Sequence, residues 1–190
     1  VSGVNNAHGS GAVRHRRRRT PTPVPATEEA AVALYVCSLI NNDEQSIPPD
    51  SYELLKFPYA GESYDPWEMH PEDQPDGARS GYPDDRSALI WPAVDGWGTL
   101  TAMVHWEDGG YTEVRDQYIR DPLDLGSGPD TTCTEHEAHN PGGQYRAKHH
   151  ALFVHPGTPL AIRVRHNADS AKRVIHCQLK LAIEDDVATP

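Results

Sequence analysis

Eleven histidines in 190 residues are the side chains of this chain best suited to hold a transition metal, because neutral imidazole ligates zinc, iron and copper. His136 and His139 stand three apart beside Glu135 and Glu137. That spacing shares a face only on a helix, and the glycines and prolines at 126–129 and 140–143 predict a loop. His149 and His150 are adjacent, so on a strand they point to opposite sides. His155 opens a turn-like His155-Pro156-Gly157-Thr158-Pro159. These four, His136, His139, His149 and His155, are the candidate ligands. The expected reading is that they are surface, turn or interface residues, that no metal or other cofactor is needed, and that the chain is not an enzyme.

Other chemistry is no better supported. Gly-x-Ser-x-Gly is absent, and Cys37, Cys133 and Cys177 sit in no cysteine-enzyme signature. Cys37 and Cys177 fall in apolar strand patterns and read as small core residues. Gly142-Gly143 lacks the Gly-Lys-Ser/Thr of a phosphate loop. Asp84-Asp85 and Asp185-Asp186 are adjacent and loop-like, which suits solubility better than paired acid/base work. Three scattered cysteines cannot build a disulfide framework and fit a reducing compartment.

The elements that must carry these residues are strands. In 99–106, Leu100, Ala102, Val104 and Trp106 alternate with mostly polar neighbours, a period of two. Asp108-Gly109-Gly110 then predicts a hairpin into 111–120. Leu160, Ile162 and Val164 alternate with Ala161, Arg163 and Arg165. Ile175, Cys177, Leu179, Leu181 and Ile183 do the same, and residues 167–170 are expected to join these two runs as a second hairpin. Residues 31–40 read as a strand buried on both sides, with further strands at 51–57, 87–91 and 145–154. About eight strands with polar outer faces predict an all-β antiparallel β-sandwich or jelly roll.

Residues 58–83 form a long loop rich in Gly, Pro, Asp and Glu that carries Tyr59, Tyr64, Trp67 and Tyr82. Loops of this length are commonly functional or ordered against a partner. The four aromatics are the candidate interface residues, Trp67 foremost, because Trp and Tyr dominate interface hot spots. Trp106, in phase with Leu100 and Val104, is expected in the core.

Ahead of the body lies a different object. Arg14, Arg16, Arg17, Arg18 and Arg19 run into Thr20-Pro21-Thr22-Pro23-Val24-Pro25, and alternating Pro favours extended backbone. The first 20 residues hold five arginines and no acid, leaving 12 basic against 28 acidic residues, a net of −16 for the rest. Residues 1–27 therefore read as an extended basic arm and 28–190 as the sandwich. The arm suits phosphate or an acidic protein surface, whereas the body repels both. No apolar run approaches the roughly 18 residues that cross a bilayer, so no membrane partner is expected. Thirteen Arg against four Lys, with Val at position 1, fit a high-GC bacterial or phage gene with a GTG start, or processing.

An Arg-rich, proline-tailed arm before a β-sandwich resembles the plan of icosahedral virion structural proteins. The resemblance rests on Arg14, Arg16 to Arg19, residues 20–25, and the strand series from Leu100 to Ile183. It is most like a capsid decoration or minor capsid protein of a tailed phage of high-GC bacteria. It implies location in the virion, the major capsid protein or other virion subunits as partners, and a homo-oligomer, trimer or dimer. A body of net −16 favours an acidic protein lattice as the arm's target, with packaged nucleic acid, as for a jelly-roll coat protein, the runner-up. His155 to Pro159 also resembles half of a cupin metal motif, which implies a cupin-like metal-dependent enzyme as an alternative. A carbohydrate-binding module with Trp67 and its neighbouring tyrosines as platform is another.

Overall fold

Leu100, Ala102, Val104 and Trp106 are buried to 2% exposure or less, so the period-two pattern does set the inward face of β5 (Gly96–Trp106). That strand lies near the centre of an all-β sandwich, seen in a computed structural model that describes Gly3, residues 32–137 and residues 145–185, excepting the side chains of 132–137. The arginines of the arm and His139 lie outside the described residues.

Ten strands are described: β1 (Leu34–Asn41), β2 (Gln45–Ile47), β3 (Glu53–Leu54), β4 (Glu62–Tyr64), β5, β6 (Val114–Arg120), β7 (Asp130–Glu137), β8 (Tyr145–Val154), β9 (Leu160–His166) and β10 (Lys172–Asp185). A six-stranded sheet runs β4-β1-β10-β5-β8, with β2 pairing the start of β10. A four-stranded sheet runs β3-β9-β6-β7. Every pairing is antiparallel. The core between the sheets is built on Leu100, Val104, Leu179, Leu181, Ile162 and Val164, each worth about 1.5–3 kcal/mol when fully buried. Trp106 meets Tyr111 and His166 edge-on at 5.7 and 5.6 Å.

Both expected hairpins are corrected. β5 and β6 belong to different sheets, so the turn with Gly109 (φ 123°) and Gly110 (φ 59°) carries the chain across the sandwich. β9 and β10 are likewise split between sheets. Alternation tells which side a residue faces and says nothing of which strand it pairs with. A true hairpin joins β6 to β7. Its loop is held by Asp121, whose carboxylate accepts from the N–H groups of Leu125, Gly126, Ser127 and Gly128 at 2.6–3.0 Å.

Three strand expectations also change. Residues 87–91 are no strand: Asp84 accepts from Ser87 N, capping a 3-10 turn at Asp85–Ala88, and Ile90 then makes one isolated bridge to Leu160. Residues 51–57 yield only the two-residue β3. The first strand is buried on its inner face, while Leu34 on the other is 55% exposed. Residues 58–83 fold against the chain itself rather than waiting for a partner. Asp65 accepts from Met69 N and His70 N, and the buried His70 ring reaches Glu62 Oε1 (2.9 Å) and Ser87 O (3.0 Å).

The outer face of the four-stranded sheet is partly roofed. Ala88, Leu89 and Trp91 pack on Ile119 and Ala161 as a second apolar cluster. The sheets are also linked by charge, because Lys148 Nζ of β8 lies 2.7 Å from Asp116 Oδ1 of β6 and Arg146 Nη2 lies 3.3 Å from Asp116 Oδ2. All three side chains are buried.

Candidate assembly interface

Residues paired in register share a face, so the odd positions of β5 define the outer surface of the six-stranded sheet. Across β1, β10, β5 and β8 the rows read Leu34, Glu184, Trp97, Phe153; then Val36, Ala182, Thr99, Ala151; then Ser38, Lys180, Thr101, His149; then Ile40, Gln178, Met103, Ala147. A fifth row holds His176, His105 and Tyr145. Small side chains, Ser38, Ala182, Thr99, Thr101 and Ala151, lie between the ends, with Lys180 and His149 exposed among them. Large apolar ones stand around them, with Trp97 52% and Tyr145 59% exposed.

The ends of this face differ. At one, Val32, Trp97 and Phe153 line a cavity of about 320 Å³ with Glu184 and Asp185 on its rim. At the other, His105 stacks on Tyr145 at 4.1 Å, and Tyr145 meets His176 edge-on at 6.0 Å. His176 Nδ1 lies 2.8 Å from Asn42 Oδ1, and Gln178 Nε2 lies 3.1 Å from His176 Nε2. Donation from Nδ1–H and acceptance at Nε2 use both nitrogens of a neutral ring. Burial, then the neighbouring His105, pulls the His176 pKa below its usual value.

The aromatic candidates divide. Tyr64, opposite Ser38 in the β4–β1 pairing, is 58% exposed at the edge of the same face. Trp67 is half exposed and leans on Tyr35, centroids 4.5 Å apart and planes at 51°. Tyr59 stacks on buried His70 at 4.5 Å, and the Tyr82 hydroxyl bonds to Asn41 and Asp43 at 3.1 Å, so these two serve the fold.

Of the histidine candidates, the two with described side chains, His149 and His155, do not converge. His149 is exposed mid-face, whereas His155 lies six residues on, about 20 Å along an extended chain, with Nδ1 2.6 Å from Asp95 Oδ1. His136 lies on β7 opposite Arg115. Among the described residues no group of three or more His, Cys, Asp or Glu could hold a metal ion. Cys37 and Cys177 are buried free thiols; desolvation raises both pKa values, that of Cys177 to about 12.

The chain matches no family model and no curated protein. Its fold does match solved structures. Eiger TNF from S. frugiperda aligns with a TM-score of 0.51 at 14% identity, over 83% of this chain and 96% of that one. The globular domain of the zebrafish complement 1qA protein gives 0.52 at 9% identity, over 79% and 96%. Murine APRIL gives 0.52 at 11% identity, over 80% and 99%. The body is a jelly roll of the kind seen in TNF and C1q domains. At such identities the likeness is one of fold.

Two features escaped the sequence reading. Arg146 and Lys148 face inward, although the alternation of charged and neutral residues in 145–149 is visible. The outer face of the four-stranded sheet gathers Arg115, Arg163 and Arg165, whose alternation in β9 was the available signal.

Proposed function

We propose that this protein is a non-enzymatic structural module that assembles with copies of itself through the outer face of the six-stranded sheet, as a dimer or trimer. The carrying observation is that face, with exposed Trp97 and Tyr145 at its two ends, small side chains and Lys180 between them, and regular strands beneath. Four strands and five rows span about 27 by 19 Å, or about 500 Å² of sheet plane before side-chain relief. That is the order of the roughly 800 Å² per partner in stable complexes. Lys180 and Glu184 stand four residues apart on β10, about 13 Å, so a symmetry axis between them can pair one copy's cation with another's anion. Self-complementarity of this kind is what an isologous contact requires.

The finer reading is a capsid decoration or minor capsid role in a virion, with the basic arm held on an acidic shell by charge. The opposed charges of arm and body support it. A non-enzymatic role is supported by the fold-internal work of the buried polar groups: His166 bonds Ile47 O and Ala168 N, and His70 bonds Glu62 and Ser87.

Light scattering of the purified chain tests assembly. A mass two or three times the 21.0 kDa protomer is expected, and a monomer at micromolar concentration would refute it. Deleting residues 1–25 and co-sedimenting with shells at low and high salt tests the arm, and undiminished binding sinks the shell-tether reading.

A further inference from the structure

The other sheet presents a different surface. Arg115 and Arg165 are directly opposed in the β6–β9 register, and Arg163 stands two residues from Arg165, opposite Gln117. Like charges facing across a strand pair are destabilising, yet here three arginines are gathered on a chain of net charge −11.

Their guanidinium groups are held in place. The Tyr52 ring lies under Arg163 at 4.6 Å and Arg165 at 6.0 Å. Gln117 donates to the Tyr52 hydroxyl at 2.9 Å and accepts from Arg163 Nε at 2.6 Å. Neighbouring carboxylates already occupy two of the three forks: Asp50 and Glu113 reach Arg165 at 2.6 and 3.7 Å, and Glu113 also pairs with Arg115. Arg163 makes no ion pair among the described residues; besides Gln117 it bonds only Thr131 Oγ1, at 3.3 Å. A guanidinium carries five donors, and this one, half-buried and pre-positioned, has no partner for Nη1 among the described residues.

Beside it opens a cavity of about 220 Å³ whose apolar wall is Leu54, Ile119, Pro122 and Leu123. Ligand pockets usually measure about 300–1,000 Å³, so this one suits a single side chain. Glu53 and Asp85 stand on its rim. They repel dense polyanions and tolerate an isolated carboxylate directed at Arg163.

We propose that the outer face of the four-stranded sheet binds an acidic polypeptide segment, one carboxylate on the Arg163 fork and an adjacent apolar side chain in the cavity beside it. Bidentate Arg–carboxylate pairing supplies orientation, and the apolar anchor supplies discrimination between acidic segments. The site lies on the opposite sheet from the assembly face, so it stands or falls independently of self-association.

Fluorescence anisotropy on the full-length chain at physiological salt tests this. The probes are a labelled nonapeptide of Gly and Ser carrying one Asp beside one Leu, its Asn twin, and oligo-aspartate of equal length. The acidic–apolar peptide is expected to bind at least tenfold more tightly than either of the others. Arg163→Gln should weaken it at least tenfold with melting temperature unchanged, and Leu123→Asp should weaken it as much when measured below its own melting transition, which the loss of packing on the second apolar cluster lowers. Arg79→Gln, at an exposed arginine elsewhere, should leave it unaltered, which accounts for binding by the common basic arm. Equal affinity for wild type and Arg163→Gln, or for oligo-aspartate and the acidic–apolar peptide, would overturn the proposal. If Arg163→Gln lowers the melting temperature, Leu123→Asp and Arg163→Lys decide, since Lys keeps the charge and loses the fork.

Discussion

The two sheets of this jelly roll share one core and turn opposite chemistry outward. The six-stranded sheet shows Leu34, Val36, Trp97, Thr99, Ala151 and Phe153, residues that sit comfortably against another protein and poorly against water. The four-stranded sheet shows three arginines over a tyrosine, beside an apolar cluster that the chain has already roofed with Leu89 and Trp91. Where this protein needed a dry outer surface closed, it spent its own backbone. The apolar face left open is therefore the informative one, and the difference between the faces divides association from recognition.

The largest expected effect lies in the contact that joins the two sheets. Asp116 pairs with buried Lys148 and Arg146, so Asp116→Ala removes a carboxylate that serves both cations in a low-dielectric site and should cost about 3–5 kcal/mol. Arg79→Ala, which breaks an exposed surface ion pair with Glu72, should cost under about 1 kcal/mol. Urea titration of both variants measures the contrast. Similar losses would mean that the interior bridge is no more desolvated than the surface one.

Next in size is the assembly face. Ala182→Glu places a carboxylate among Val36, Thr99 and Ala151 and should weaken self-association at least tenfold, about 1.4 kcal/mol, with the fold intact by circular dichroism. Arg115→Glu on the opposite sheet should leave the mass by light scattering unchanged. Dissociation by both would erase the distinction between the faces.

How much of this could be read from the chain follows the same division. The inward face of β5 was legible because strand periodicity needs only local sequence. The partners were not: Asp108-Gly109-Gly110 looks like any hairpin turn, and only the packing of Trp106 on His166, 60 residues away, shows that the chain changes sheets there. Arg146 and Lys148 occupy inward positions where both reach Asp116, 30 and 32 residues earlier, a long-range pairing that the strand pattern does not carry. Tyr64 was singled out and does lie on the open face. Tyr59 and Tyr82 were singled out for the same reason, their place in a polar loop, and are occupied by His70, Asn41 and Asp43. Composition marks a loop as rich in aromatics without telling which of them it uses internally.

Acid should sharpen the contrast between faces more gently. Folded His176 is held below its ordinary 6.5, so as pH falls the unfolded chain takes up its proton first. Its contribution is fully present above about pH 6.5 and is lost as pH falls through the depressed folded value. His105, His149 and Lys180 share the face, so protonation adds like charge there. Self-association should weaken several-fold between pH 7.5 and 5.5, and His176→Gln should flatten that dependence. Binding of acidic peptide to the arginine face should keep its dependence on Arg163. A mass independent of pH in the wild type would remove the histidines from the interface.

The smallest effect concerns the roof over the four-stranded sheet. Trp91 is buried in the second apolar cluster, and its Nε1–H has no hydrogen-bond partner among the described residues. A buried donor left unmade costs about 1–3 kcal/mol, whereas losing the larger ring in favour of Phe sacrifices packing against Ile119 and Ala161. The two terms oppose each other, so Trp91→Phe should change stability by less than about 1 kcal/mol, while Trp91→Ala, which gives up the packing as well, should cost about 3–5 kcal/mol. Thermal unfolding distinguishes them. A Phe variant as damaged as the Ala variant would mean that the indole N–H is used after all, and that the roof is held by a polar contact as well as by packing.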